Sequence, residues 1–140
     1  FRRLTIDGKS KCRKSAAMLK AHIESLQAIA SSPFTCAIET AEIVARAFPS
    51  AKAGTNGGLK PDANPSEIIS WLARRPKEHT VALIGHGTQL QNLIARMCGL
   101  REDSVAELKP GMCALVEFDG KPAPTHGIVA WVNRPKKESA

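Results

Sequence analysis

Residues 83–87 read LIGHG, and this stretch constrains the fold more than any other part of the chain. An apolar run over 81–84 ends at a glycine, and a segment with helical periodicity begins at Gln89. A buried strand that ends in Gly-His-Gly brings the imidazole of His86 to the carboxyl edge of a sheet, where open α/β sheets bind their ligands. The glycines on both sides of it allow backbone and ligand to approach closely. The pattern favours a functional role for His86 over that of an ordinary loop histidine.

The rest of the chain shows alternating helical and strand patterns. A first helix begins after the N-cap Thr5, and its apolar positions run through Cys12, Ala16 and Leu19 to Ile23 and Leu26. The same signals predict helices over 36–48, 65–73 and 89–97, strands over 28–31, 80–84, 113–118 and 128–132, and a flexible loop over 54–58. Strands that alternate with helices predict a single α/β domain over residues 1–140, built as a three-layer α/β/α sandwich.

The net charge limits the partners that the chain can have. A charge of +7 and a pI near 9.5 favour anionic partners such as phosphate groups. Basic residues cluster in 9–14 and 134–137, but only 4% of the residues are aromatic and there is no Tyr to stack on bases. We interpret both clusters as solvated faces and expect no nucleic-acid partner. No apolar run approaches the roughly 20 residues of a membrane span, so we expect no membrane partner either.

The four cysteines are scattered along the chain, at Cys12, Cys36, Cys98 and Cys113. They form no Cys-x-x-Cys pair and no zinc-ligand spacing. This spacing favours reduced, mostly buried thiols in a cytoplasmic protein, with no metal site.

Four segments follow one another in an order that resembles the histidine phosphatase superfamily. Residues 2–8 resemble the family's Arg-x-Leu-Thr-x-x-Gly segment, and residues 31–41 resemble Ser-Ser-Pro-x-x-Arg-Ala-x-x-Thr-Ala. Residues 83–87 are similar to the strand that brings in the second catalytic histidine, and 131–136 complete the series. The resemblance covers essentially the whole chain and is strongest to the short bacterial SixA-type phosphohistidine phosphatases. It implies a phosphoglycerate-mutase-like fold and a reaction without cofactors.

The resemblance also implies roles for particular residues. His86 matches the second catalytic histidine, which hydrogen-bonds a phosphoryl oxygen and stabilises its charge. Cys36 stands at the position of the family's second phosphate-binding arginine, and a thiol cannot replace the charged, bidentate guanidinium. We interpret Cys36 as a degenerate or packed position; a reactive thiol at a helix N-terminus is the alternative. His22, His79 and His126 lie in no comparable motif and are interpreted as solvated histidines.

One part of the family pattern does not occur in this sequence. The family's first strand ends in Arg-His-Gly, whose histidine is the phosphorylated nucleophile and whose arginine binds phosphate; the sequence holds no such motif. In the family this strand lies inside the sheet, so without it the neighbouring strands have unpaired backbone groups. We expect an upstream segment or a partner to fill this position, and we do not expect these residues alone to form a stable fold.

These observations leave more than one function open. The resemblance implies a hydrolase that removes phosphate from phosphohistidine on a signalling protein through a phosphohistidine intermediate. We expect the 140 residues alone to be inactive or impaired, because the nucleophile is missing. The alternative is a non-catalytic module that binds phosphate or a phosphorylated protein. A phosphatase or mutase for small metabolites is disfavoured, because no large insertion supplies a lid, and Asp62 and Glu67 are interpreted as ordinary loop and helix-start carboxylates.

Overall fold

The computed structural model describes residues 4–76, 79–105, 107–109 and 111–133. Two of the predicted segments lie partly or wholly outside the described residues: the basic cluster at 134–137 and the last three residues of the family segment 131–136. The same holds for residues 2 and 3 of the first family segment. In the described part, the helices are α1 (Ile6–His22), α2 (Thr35–Ala47), α3 (Pro65–Ala73) and α4 (Gly87–Cys98). The strands there are β1 (Ala28–Ser31), β2 (Lys52–Thr55), β3 (Val81–Ile84), β4 (Cys113–Phe118) and β5 (Gly127–Asn133).

The described strands form two sheets. β1 lies between β2 and β3, and all three strands are parallel. β4 and β5 form a separate antiparallel pair with a bulge between Leu115 and Val116. None of the helices in the described ranges has the length and apolar character that a membrane span requires.

Helices cover both faces of the parallel sheet, as the predicted sandwich requires. Neighbouring residues of a strand point to opposite faces. Ile29 therefore packs with Ala41 and Val44 of α2, whereas Ala30 packs with side chains of α3 and α4 such as Ile68 and Leu93. Side chains of β4 and β5 join the α3–α4 cluster, so the two sheets share one core layer. The α/β/α architecture is confirmed.

β3 has one open edge in the described structure. It pairs with β1 alone, so the backbone groups on its other side meet no strand among the described residues. All four residues of β3 are only half-buried, whereas the last three residues of β1 are buried. A strand inside a parallel sheet is normally paired along both edges and buried on both faces. A further strand beside β3 stays a prediction.

The predicted helix boundaries are close to the observed ones. Thr5 caps α1, and its hydroxyl accepts a hydrogen bond from the Gly8 N–H at 2.9 Å. The helix ends at His22, so Ile23 and Leu26, which the periodicity placed on its apolar face, follow the helix and pack with Ala41 and Val44 of α2 instead. α4 begins at Gly87, two residues earlier than predicted.

The predicted flexible loop at 54–58 was wrong. Residues Lys52–Thr55 form β2, and a 3₁₀ turn follows at Gly57–Leu59. All four residues of β2 are exposed, because the strand lies at the edge of the sheet. Such a strand shows no alternation of apolar and polar residues, and its parallel pairing with β1 provides the hydrogen bonds that define it.

Candidate functional site

The carboxyl ends of β1 and β3 lie side by side at one edge of the parallel sheet. Ser31 and Ile84 are register partners, and the Ser32 N–H donates to the Ile84 carbonyl at 2.8 Å. This bond extends the pairing by one residue past the end of β1. Ser32 is thereby fixed beside the loop that carries His86.

The Ser32 hydroxyl and the His86 imidazole are in direct contact. Ser32 Oγ lies 2.9 Å from His86 Nε2, and the serine is fully buried at 0% exposure. The same oxygen accepts a hydrogen bond from the Phe34 N–H at 3.1 Å. Its own proton can be donated to Nε2 in the neutral tautomer of His86 that carries its proton on Nδ1. In that state Nδ1–H is a hydrogen-bond donor for a ligand.

The surroundings of His86 favour its neutral form. Burial lowers the pKa of His86 below its ordinary value. The ring of Phe34 packs edge-on against the imidazole, with 5.0 Å between the ring centroids. A neutral imidazole in such a position donates one hydrogen bond without bringing a charge into the site.

We expect this lowered pKa to make stability depend on pH. The pKa of an unfolded histidine is about 6.5, so below that pH the unfolded state binds a proton that folded His86 still excludes. The contribution of His86 to stability is present above pH 6.5 and is lost as the pH falls through its folded pKa. The free energy of unfolding, measured with denaturant, should therefore fall between pH 7 and pH 5. His86→Gln should make this fall smaller.

The matched control for this measurement is His79→Gln, since His79 is exposed. In this variant the free energy of unfolding should change with pH as it does in the parent chain. An equal change with pH in the His86→Gln variant and the parent would contradict the prediction.

Two helices begin beside His86 without a side-chain cap. Phe34 is the N-cap of α2 and His86 is the N-cap of α4, and neither side chain accepts a hydrogen bond from its helix. In contrast, Thr5 and Asn64 cap α1 and α3 with their side-chain oxygens. The first-turn N–H groups of a helix carry partial positive charge and attract anions. The start of α2 beside His86 is therefore suited to an anion, whereas the Glu107 carboxylate lies close to Gly87 at the start of α4.

Cys36 lies at the same helix end. It is the second residue of α2 and half-buried, and its carbonyl accepts a hydrogen bond from Thr40 Oγ1 at 3.0 Å. The structure thus places Cys36 two residues from Phe34, whose ring contacts His86. All four cysteines are free thiols, but Cys12 alone is buried and the others are half-buried. Burial raises the pKa of Cys12 and Cys98, and raises that of Cys113 to about 11.

The other candidate side chains do not join the site. His79 and His126 are exposed, in agreement with their interpretation as solvated histidines. His22 is also exposed, but its ring stacks on Trp131 with 4.0 Å between centroids. Asp62 and Glu67 are exposed. Across the described ranges, no group of three or more His, Cys, Asp and Glu side chains is arranged to hold a metal ion.

Gln89 lies beside the site, and nothing in the sequence pattern indicated a role for it. Its side chain is 3% exposed, and neither amide atom has a hydrogen-bond partner among the described residues. A Cβ at position 85 would collide with the Gln89 amide oxygen and would lie 3.2 Å from the Leu59 carbonyl. Gly85 therefore leaves room for this amide, in addition to allowing close approach at the end of β3. A buried glutamine on a helix next to a glycine has no distinctive sequence signature.

Comparisons with known proteins establish the fold. No family model and no curated protein matches the sequence. The solved structure of the protein histidine phosphatase SixA complexed with tungstate aligns with a TM-score of 0.79 and 24% identity, over 94% of this chain and 83% of that one. A protein assigned as the phosphohistidine phosphatase SixA of Agrobacterium tumefaciens aligns with a TM-score of 0.78 and 17% identity, over 96% and 84%.

A phosphoglycerate mutase of Plasmodium falciparum aligns as well, with a TM-score of 0.71 and 16% identity, over 97% of this chain and 91% of that one. The fold is thus that of the SixA phosphatases and the phosphoglycerate mutases. The sequence resemblance to this superfamily is confirmed at the level of the fold, and function has to be argued from the site.

Proposed function

We propose that the sheet edge at His86 binds the phosphoryl group of a phosphohistidine protein and forms part of a phosphohistidine phosphatase site. One observation carries the proposal: His86 Nε2 and Ser32 Oγ lie 2.9 Å apart, between two helix N-termini that have no side-chain cap. An imidazole donor together with the N–H groups of a helix N-terminus matches a compact oxyanion. The SixA structure that binds tungstate, an oxyanion analogous to phosphate, supports this choice of ligand.

The chemistry follows from the charge that develops on the phosphoryl group. Phosphoryl transfer needs an in-line nucleophile and donors for the equatorial oxygens. His86 Nδ1–H and the N–H groups at the start of α2 and α4 supply such donors, whose stabilisation strengthens as charge shifts to these oxygens. By resemblance, the nucleophile is the histidine of a strand ending in Arg-His-Gly. Residues 1–140 then bind the phosphoryl group but do not remove it.

The proposed substrate is a phosphorylated histidine on a signalling protein in the cytoplasm. The free thiols fit a reducing compartment. Between β2 and β3 the described residues include only a 3₁₀ turn and the short helix α3. A segment of this size favours an open site that a protein surface can reach, over a lidded site for a small metabolite.

A second candidate is a module that binds phosphate or a phosphoprotein without cleaving it. Cys36 favours this function, because a thiol at the start of α2 lacks the permanent charge and the paired donors of an arginine. The two candidates share the anion site and differ in turnover. Anion binding tests the shared part first.

The test of the proposal is tungstate binding, measured by titration calorimetry on the full chain. We expect binding that His86→Asn weakens by about 10- to 100-fold, the range for losing a hydrogen bond to a charged group. His79→Asn, at an exposed position, should bind like the parent. Equal affinity in the two variants would contradict the proposal.

The same measurement tests the position of Cys36. Cys36→Arg should raise the affinity for tungstate by about tenfold or more, because a guanidinium forms charge-assisted, bidentate bonds with oxyanions. Unchanged affinity would show that Cys36 does not occupy the position of the family's arginine.

A further inference from the structure

The outer surface between α1 and α2 contains a groove with an apolar floor. The two helices run side by side, since Cys12 Sγ lies 3.8 Å from Thr40 Oγ1 and Lys20 lies over the Phe48 ring at 5.7 Å. The groove between them, which we call the α1–α2 groove, has a volume of about 240 Å³. Its floor consists of small and apolar side chains: Ala16, Ala17, Ile43 and Ala47. Small side chains of this kind allow another helix to pack closely.

Three cations surround this floor. Arg13 and Lys20 lie on α1, Arg46 lies on α2, and no carboxylate of the described residues lines the groove. Within the described ranges, none of these three takes part in an ion pair, whereas Lys9 and Lys11 on the same helix pair with Glu39 and Asp7. The α1–α2 groove therefore combines an apolar strip with unneutralised positive charge, which is complementary to a ligand with an apolar strip and negative charge.

We propose that the α1–α2 groove is the docking site for an acidic amphipathic helix of a partner protein. Arg13 and Lys20 are seven residues apart on α1, a rise of about 10 Å. Two carboxylates seven residues apart on one face of a partner helix have the same spacing and would meet both cations. The apolar residues between those carboxylates would lie on the alanine floor, as in other helix-in-groove complexes.

Other anionic partners fit these observations less well. A nucleic acid backbone offers nothing apolar for the floor, and no aromatic side chain in the described part of the chain lines the groove for base stacking. A membrane surface is recognised by large apolar side chains next to cations, and the apolar side chains of the groove are mostly alanines at the bottom of a concave surface. The α1–α2 groove contains no residue of the His86 site, so its role does not depend on the proposed function.

The test uses a labelled peptide of about 20 residues, long enough to form a helix, with two glutamates seven residues apart beside a leucine–alanine face. Fluorescence anisotropy with the full chain should show binding that Arg13→Glu with Lys20→Glu weakens by about tenfold or more. The matched control is Lys60→Glu with Lys121→Glu, which makes the same change in net charge at two exposed positions outside the groove. This control should bind the peptide like the parent.

Two further measurements separate the groove from bulk charge. Ala17→Phe should weaken peptide binding without any change in charge, and far-UV circular dichroism confirms that each variant is folded. A peptide of the same composition with its glutamates on opposite faces should bind at least about tenfold more weakly. Equal losses in the two charge-reversal variants would overturn the proposal. So would equal binding of the two peptides, or groove-dependent binding of duplex DNA or anionic vesicles without peptide binding.

Discussion

An apolar strand ending in Arg-His-Gly, fused ahead of residue 1, is expected to give the chain phosphohistidine phosphatase activity. Release of phosphate from a phosphohistidine protein should rise by at least about 10³-fold, because the fusion supplies both a nucleophile and an arginine beside His86. The chain without the fusion should show no turnover above background. The measurement is phosphate release from a protein phosphorylated on histidine.

The geometry of α1 explains why the fused strand should reach the site. Near the start of α1, Lys9 Nζ lies 3.3 Å from Oε2 of Glu39 in the first half of α2. Near the end of α1, Lys20 lies over the ring of Phe48, which follows the last residue of α2. The two helices are therefore parallel, and α1 begins at the sheet edge where β1 ends and α2 begins. A strand that leads into α1 would end at that edge and run parallel to β3. The open edge of β3 is then available to pair with it.

A second fusion, ending in Arg-Gln-Gly, separates structure from catalysis. Both fusions should raise the melting temperature by similar amounts, because both pair with β3 and cover its half-buried residues. Only the fusion that contains histidine should release phosphate. Equal stability gains with no activity in either fusion would favour the binding module. No stability gain in either fusion would contradict the idea of a strand beside β3.

Leu93→Ala is expected to lower the free energy of unfolding by about 2–5 kcal/mol, the usual range for a buried leucine truncated to alanine. Leu93 is 1% exposed and lies in the core cluster between α3, α4 and both sheets. Its truncation leaves a cavity at the point where the two sheets share one core. Since small domains have only about 5–15 kcal/mol of stability, the loss is large. Urea unfolding followed by circular dichroism measures it.

Leu100→Ala is the matched control, because Leu100 is 48% exposed and follows the end of α4. The same chemical change at this position should alter stability by less than about 0.5 kcal/mol. Similar losses in the two leucine variants would show that Leu93 is not part of a packed core.

Much of the fold could be predicted because the helices have strong end signals. Asn64 before Pro65 predicted the start of α3, and Gly99, which has a φ of +66°, predicted the end of α4. β2 was missed because a short, exposed edge strand shows no alternation. Its existence depends on pairing with β1, which is a tertiary contact that local sequence does not encode.

The candidate site was predictable in outline from the position of His86 after an apolar strand. Its hydrogen bond with Ser32 and its contact with the Phe34 ring join residues more than fifty positions apart, and only the resemblance placed these segments together. The roles proposed for His86 and Cys36 stay predictions. The amide of Gln89 could not be predicted, because its burial results from the way α4 packs on the end of β3.

The fit of Gln89 against Gly85 links the sizes of two residues on either side of His86. Any side chain added at 85 takes space that the amide now fills, so position 89 would have to shrink in compensation. A library that randomises both positions should return a small residue at one of them whenever the other is large. Substitutions around His86 would then occur in pairs, one residue just after β3 and one on α4.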